Sequence, residues 1–197
     1  MKVVVVYESM YGNTHHVADA IGAGLRAAVD GDVVVIPVGQ AHDDLVCDAD
    51  LLVVGGPTHV HGMSRANTRR AAVDAANKSD GSLSVEPDAD GPGLREWFDR
   101  FGQTDTSAAA FDTRVDAPAA LTGRASKRIA KELQRHGCAL IAEPRSFLVT
   151  KETHLVGDEE QRAHDWGIEL GRVVCPHGRF DTPAPTHPSS AWSQRSQ

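Results

Sequence analysis

The sequence predicts an α/β domain built as an open, doubly wound parallel sheet of five strands with helices on both faces. Two observations predict it directly. Short β-branched runs, the pattern of strands buried on both faces, alternate with stretches whose apolar residues recur every third or fourth position. The chain of 197 residues, at about 150 per domain, suits one domain large enough to bury a core unaided. Cysteine usage agrees: Cys47, Cys138 and Cys175 are widely spaced with no CxxC pair, which argues against a disulfide framework or a zinc site and for a reducing cytoplasm. No apolar run is long enough for a signal sequence or a membrane span.

Each element has its own signal. Lys2 to Tyr7 (KVVVVY) reads as the first strand, and Val17, Ala18, Ile21, Leu25, Ala28 and Val29 mark one face of a helix over about 14–29. Asp30-Gly31 ends that helix, and Gly22-Ala23-Gly24 inside it reads as a packing feature. Val33 to Val38 is the second strand, placed at an edge because Pro37 lacks a ladder donor. Leu51 to Gly56 is the third strand, and a helical pattern follows through 67–77. Lys78 to Gly93 is a surface loop by its turn-forming residues. Helical spacing resumes over 94–101, the fourth strand is Ala108 to Phe111, and Thr122 to His136 is a helix stopped by Gly137. The fifth strand is Cys138 to Ile141 with an apolar continuation over 146–150, and Ala163, Trp166, Leu170 and Val173 face inward from a final helix. Trp97, Phe98 and Trp166 are expected in the core. From Pro176 to the end, a Pro/Ser-rich stretch without periodicity is expected to be disordered, leaving 1–175 as the domain.

In such a sheet, ligands bind beyond the C-terminal strand ends. That directs attention to three loops, near 8–13, 57–62 and 112–121. The first, Glu8-Ser9-Met10-Tyr11-Gly12-Asn13-Thr14, joins a buried strand to a helix and suits an anion held by free backbone amides and hydroxyls. It has neither the lysine of GxxxxGK[ST] nor a GxGxxG pattern, and no Lys or Arg falls between Lys2 and Arg26. A singly phosphorylated ligand is therefore favoured over a polyphosphate. His59-x-His61 has no third ligand nearby to make a metal site, and His15-His16 reads as solvated surface. The formal charge of −7 disfavours nucleic acid, and the helix over 122–137 carries a local +4 that leaves −11 on the remainder. That basic face suits solvent, an acidic partner or a pyridine-nucleotide phosphate.

With its flanks, VVVYESMYGNTHHVADAI resembles the phosphate-loop signature of the flavodoxin family: strand, aromatic, Ser, then Gly-x-Thr opening a helix. LLVVGGPTHVHGMS over 51–64 is similar to that family's second flavin loop, and AAAFDTR over 108–114 to its fourth strand and third loop. The resemblance implies a flavodoxin-like fold over 1–175 and FMN as cofactor. By match of position, Ser9, Met10, Tyr11, Gly12, Asn13 and Thr14 would hold its phosphate. Pro57, Thr58, His59, Val60, His61 and Gly62, with Asp112, Thr113 and Arg114, would line its ring. It also implies that the His61-Gly62 peptide can turn its carbonyl beside the flavin N5. Many members shield the ring with an aromatic in the second or third loop, whereas this chain offers His59 and His61 and no aromatic between Asp112 and Leu121.

Three functions follow as expectations. The leading one is a cytoplasmic FMN-binding flavoprotein that carries electrons between partner proteins, away from nucleic acid and membranes. The alternatives are an FMN-dependent NAD(P)H:quinone-type oxidoreductase and a flavin-free binding module of the same fold.

Overall fold

The strand β1 (Lys2–Tyr7) is flanked on both sides by parallel strands, so Val3, Val4, Val5 and Val6 are wholly buried, as the unbroken valine run requires. The computed structural model describes residues 1–59, 62–78 and 84–175. Its sheet has the order β2-β1-β3-β5-β6, with β2 (Asp32–Pro37) at one edge, as Pro37 requires. β3 (Leu51–His59) and β5 (Ser107–Val115) form the middle, paired in parallel from Leu51↔Ser107 to Pro57↔Thr113. The fifth position is shared by β6 (Ala139–Leu140) and β7 (Arg145–Val149), both parallel to β5 and separated by a break at 141–144. The short β4 (Gly62–Met63) turns back antiparallel onto the end of β3.

Helices cover both faces. On one lie α1 (Asn13–Ala28) and α7 (Glu159–Val174), which bury Val17, Ile21, Leu25, Trp166 and Leu170 against Phe111 and Phe147. These two helices meet backbone to backbone. A methyl group at Gly24 would land on the His164 carbonyl oxygen, and one at Gly167 on that of Ile21, so the glycine pair does pack helices together. On the other face, α2 (Asp43–Cys47), α4 (Leu94–Phe98) and α6 (Ala125–Arg135) bury Val46, Trp97, Phe98, Ile129 and Leu133. Burying side chains of this size contributes about 1.5–3 kcal/mol each. Trp97 is anchored further, donating through Nε1 to the Ala41 carbonyl at 3.0 Å.

Several boundaries differ from the sequence reading: β3 runs on to His59, because its end pairs with β4, and α4 stops at Phe98. β5 runs to Val115 rather than stopping at Phe111, because Asp112 and Thr113 find partners inside the fold and can be buried. The helix expected over 122–136 is two pieces, α5 (Ala119–Thr122) and α6, split where Gly123 takes φ 76°. The segment between β2 and β3, for which no helix was expected, contains α2. Between β4 and α4 lies α3 (Ala66–Lys78), followed from Ser84 by turns as expected for a loop. The expected tail beyond Cys175, and 79–83 of that loop, lie outside the described residues.

Candidate cofactor site

Strand β1 ends with the Glu8 amide donating to the Gly55 carbonyl at 2.9 Å, and the chain then turns sharply into α1. Gly12 makes the turn at φ 89°, a backbone state that costs a residue with a Cβ about 1–2 kcal/mol. Its amide donates to Ser9 Oγ at 3.2 Å, and its carbonyl accepts from the His16 amide at 2.9 Å, the first bond of the helix. The amides of Met10, Tyr11, Asn13 and Thr14 meet no acceptor among the described residues. These unused donors at a helix N-terminus form a cradle for an anion. Ser9 and Thr14 line it, both buried, with Thr14 Oγ1 2.7 Å from Thr113 Oγ1.

The loop is walled from outside by residues that sequence reasoning missed. The Glu86 amide donates to the Met10 carbonyl at 2.9 Å, and the Tyr11 hydroxyl to the Ala72 carbonyl at 3.1 Å. Met10 packs with Ala72 and Ala89 in a small apolar cluster. Asn13 Nδ2 donates to the Thr153 carbonyl at 2.7 Å, and Thr153 itself takes φ 63°. His15 is not the solvated surface residue expected. Its ring stacks on Tyr7 at 4.6 Å and 15°, with Nδ1 3.0 Å from Glu86 Oε1 and Nε2 3.5 Å from Asp19. Burial, helped by Glu86, Asp19 and Asp88, pushes the Tyr7 phenol up to about 12. His16 is exposed.

A second missed element is a buried polar chain at the foot of the loop. Glu8 accepts from the Ser64 hydroxyl and, at 2.8 Å, from the Leu94 amide. Ser64 Oγ also accepts from Arg69 at 3.2 Å, and Arg69 pairs with Glu96 at 3.1 Å. Glu8 and Arg69 are 5% and 4% exposed, so their polar groups are buried only with the partners that hydrogen-bond them. The signal was present in the sequence: a carboxylate directly after a doubly buried strand has to be partnered. What the sequence could not show was that the partners come from 64–96.

The second loop is a hairpin. Thr58 pairs with Met63 and His59 with Gly62, while Val60 and His61 at its tip lie outside the described residues. Pro57, Thr58 and His59 are partly exposed at the C-terminal rim of the sheet, beside the first loop, and Gly62 is buried. Burial holds the His59 imidazole below its ordinary pKa, against the nearby Glu8 and with the nearby Arg69.

The third segment differs from its reading as a loop. Asp112 is fully buried, its Oδ2 accepting from Thr58 Oγ1 and from the Ser126 amide, both at 2.9 Å. Thr58 Oγ1 accepts in turn from the Ala125 amide at 2.9 Å. Asp112 and Thr58 therefore cap α6 from neighbouring strands, where no residue of its own supplies a side-chain cap. Arg114 donates to the Ala117 carbonyl at 2.7 Å, folding the chain over after β5. The loop proper begins at Asp116 and exposes Leu121 to 70%.

A parallel sheet in this order places the open amides at the end of its first strand and the glycine-bearing hairpin side by side at the topological switch point, where ligands bind in such sheets. The chain belongs to the flavodoxin family: the model of that family, described as Flavodoxin, matches residues 5–166. Solved structures agree on the fold. A flavodoxin from the domain Archaea is 23% identical with a TM-score of 0.57, over 88% of this chain and 99% of that one. Flavodoxin 1 from Bacillus cereus is 20% identical with a TM-score of 0.58, over 90% and 99%. A WrbA-like flavodoxin from Agrobacterium tumefaciens is 23% identical with a TM-score of 0.53, over 89% and 98%. A curated NAD(P)H dehydrogenase (quinone) from Geotalea daltonii is 32% identical over 87 residues, covering 32% of this chain and 42% of that protein. The chain thus spans less than half the length of the curated relative it matches.

The cofactor is FMN, and the residues present fit it. The cradle's open amides and Gly12's turn suit one phosphate, and the lack of a lysine suits one phosphate rather than three. The protein is an FMN-type redox flavoprotein. Among the described residues no helix is long and apolar enough to cross a membrane.

Proposed function

We propose that the chain carries electrons between partner proteins, with FMN held at the three segments described. Bound FMN supplies the redox chemistry. The amides of Met10, Tyr11, Asn13 and Thr14, with Ser9, Gly12 and Thr14 around them, hold the phosphate and orient the group along the sheet rim. Pro57, Thr58, His59 and Gly62 form the wall beside the ring. Asp112 and Thr113 brace that wall and the cradle from below, and Arg114 sets the course of the third loop. The observation that carries the reading is the set of unused amides at the start of α1. The carrier role draws support from the exposed Val115 at the end of β5 and Leu121 in α5, which give an apolar rim for a protein to press against.

The Geotalea relative supports a second reading, direct reduction by NAD(P)H with a quinone as acceptor. One experiment separates them. FMN-loaded chain is mixed anaerobically with NADPH or NADH and a quinone, with and without a flavoprotein reductase. A carrier is reduced only when the reductase is present and then reduces cytochrome c. Rapid quinone reduction without the reductase overturns the carrier role.

A further inference from the structure

Four arginines converge on a cavity of about 420 Å³ at the sheet edge, where the fifth strand position is broken between β6 and β7. Arg114, Arg124, Arg145 and Arg162 line it, together with Glu143 and Glu169. Two of the arginines have carboxylate partners: Arg145 meets Glu169 at 3.1 Å, and Arg162 meets Glu159. The other two meet only neutral acceptors. Arg124 donates to Ser146 Oγ at 3.1 Å and to the Pro144 carbonyl at 3.2 Å. Arg114 donates from one terminal nitrogen to the carbonyls of Ala117 and Val115 and to Thr122 Oγ1, and its buried Nε has no hydrogen-bond partner among the described residues.

Gathering four guanidinium groups round one opening works against their mutual repulsion, and the two lining glutamates leave an excess of positive charge on a chain of formal charge −7. A bound anion removes that excess. We propose that this cavity is a second ligand site, which takes the phosphate group of a small phosphorylated organic molecule. Guanidinium forks approaching from β5, β7, α7 and the start of α6 suit a tetrahedral group with several acceptor oxygens. The volume exceeds what a lone phosphate fills and falls within the range of about 300–1,000 Å³ usual for small-molecule sites. Leu148, Leu170 and the half-exposed Val173 give the wall an apolar side for the rest of the molecule. None of the lining residues belongs to the first or second flavin loop, and the site does not depend on which partner the flavin serves.

A free phosphorylated metabolite and the adenosine phosphate end of a pyridine nucleotide share this chemistry. Calorimetric titration of the FMN-loaded full chain with pyrophosphate, adenosine 2′,5′-bisphosphate and adenosine tests the proposal and separates the two sources. Both phosphate compounds are expected to bind, more weakly as salt is raised, and adenosine is expected to give no heat. Tighter binding of the bisphosphate points to the nucleotide, and equal binding to the phosphate alone. Arg124→Gln is expected to weaken binding about tenfold, the loss of one charge-assisted contact. Glu143→Gln, which removes a lining carboxylate and leaves all four arginines in place, is expected to tighten it severalfold. The site is overturned if neither phosphate compound binds, if neither substitution changes the affinity, or if binding releases FMN and so takes place in the first loop.

Discussion

The first loop and the third segment are both polar, buried and set at the C-terminal ends of neighbouring strands, yet they spend their hydrogen bonds differently. In the first, the amides of Met10, Tyr11, Asn13 and Thr14 are left open. In the third, Asp112 Oδ2 is met by Thr58 Oγ1 and the Ser126 amide and Thr113 Oγ1 by Thr14, while the buried Asp112 Oδ1 has no partner among the described residues. Open donors at a helix start suit an anion, whereas the paired Asp112 Oδ2 serves to cap α6. Polarity alone does not distinguish them.

The sharpest way to break the contrast is Asp112→Ala. It strands the Thr58 hydroxyl and the Ser126 amide in the interior and is expected to cost about 3 kcal/mol of apoprotein stability in urea unfolding. A loss below about 0.5 kcal/mol would show that Asp112 is no brace. Next is the comparison of FMN with riboflavin, followed by flavin fluorescence. The phosphate draws on several charge-assisted bonds of about 1.5–3 kcal/mol each, so FMN is expected to bind about 100-fold tighter or better. Equal affinities would remove the first loop from the phosphate's site.

Gly12→Ala should lower apoprotein stability by about 1–2 kcal/mol for its φ of 89° and weaken FMN by more than it weakens riboflavin. A uniform loss for both flavins would make Gly12 a folding residue only. The smallest effect is expected at His59. Its pKa is lowered in the fold, so above about 6.5 both folded and unfolded states are neutral and nothing is gained or lost. Below that value the unfolded chain takes up the proton first, and stability falls with pH. His59→Gln should flatten that decline between pH 6.5 and 5, read by urea midpoints, and an unchanged slope would clear His59 of it.

Much of this was legible in the residues. Val3 to Val6 announced a doubly buried strand, Pro37 an edge, and Ser9 to Thr14 a turn with free amides into a helix, because each depends on neighbours in sequence. Asp112 was misread as part of a loop because its partners, Thr58 and Ser126, sit on other elements, and no local pattern reveals that a carboxylate will be capped from across a sheet. His15 was misplaced for the same reason: Glu86 reaches it from a segment whose turn-rich composition gave no hint of where it would lie. Local order was readable, and long-range polar pairing was not.

The glycine contact between α1 and α7 has a bearing on how the protein is made. The helix α1 leaves the ribosome well before α7, whose backbone braces it. Synthesis proceeds at about 5–20 residues per second, so the nascent chain spends seconds with α1 lacking that support. The backbone brace on α1 therefore forms only once α7 has been made, late in the synthesis of this domain.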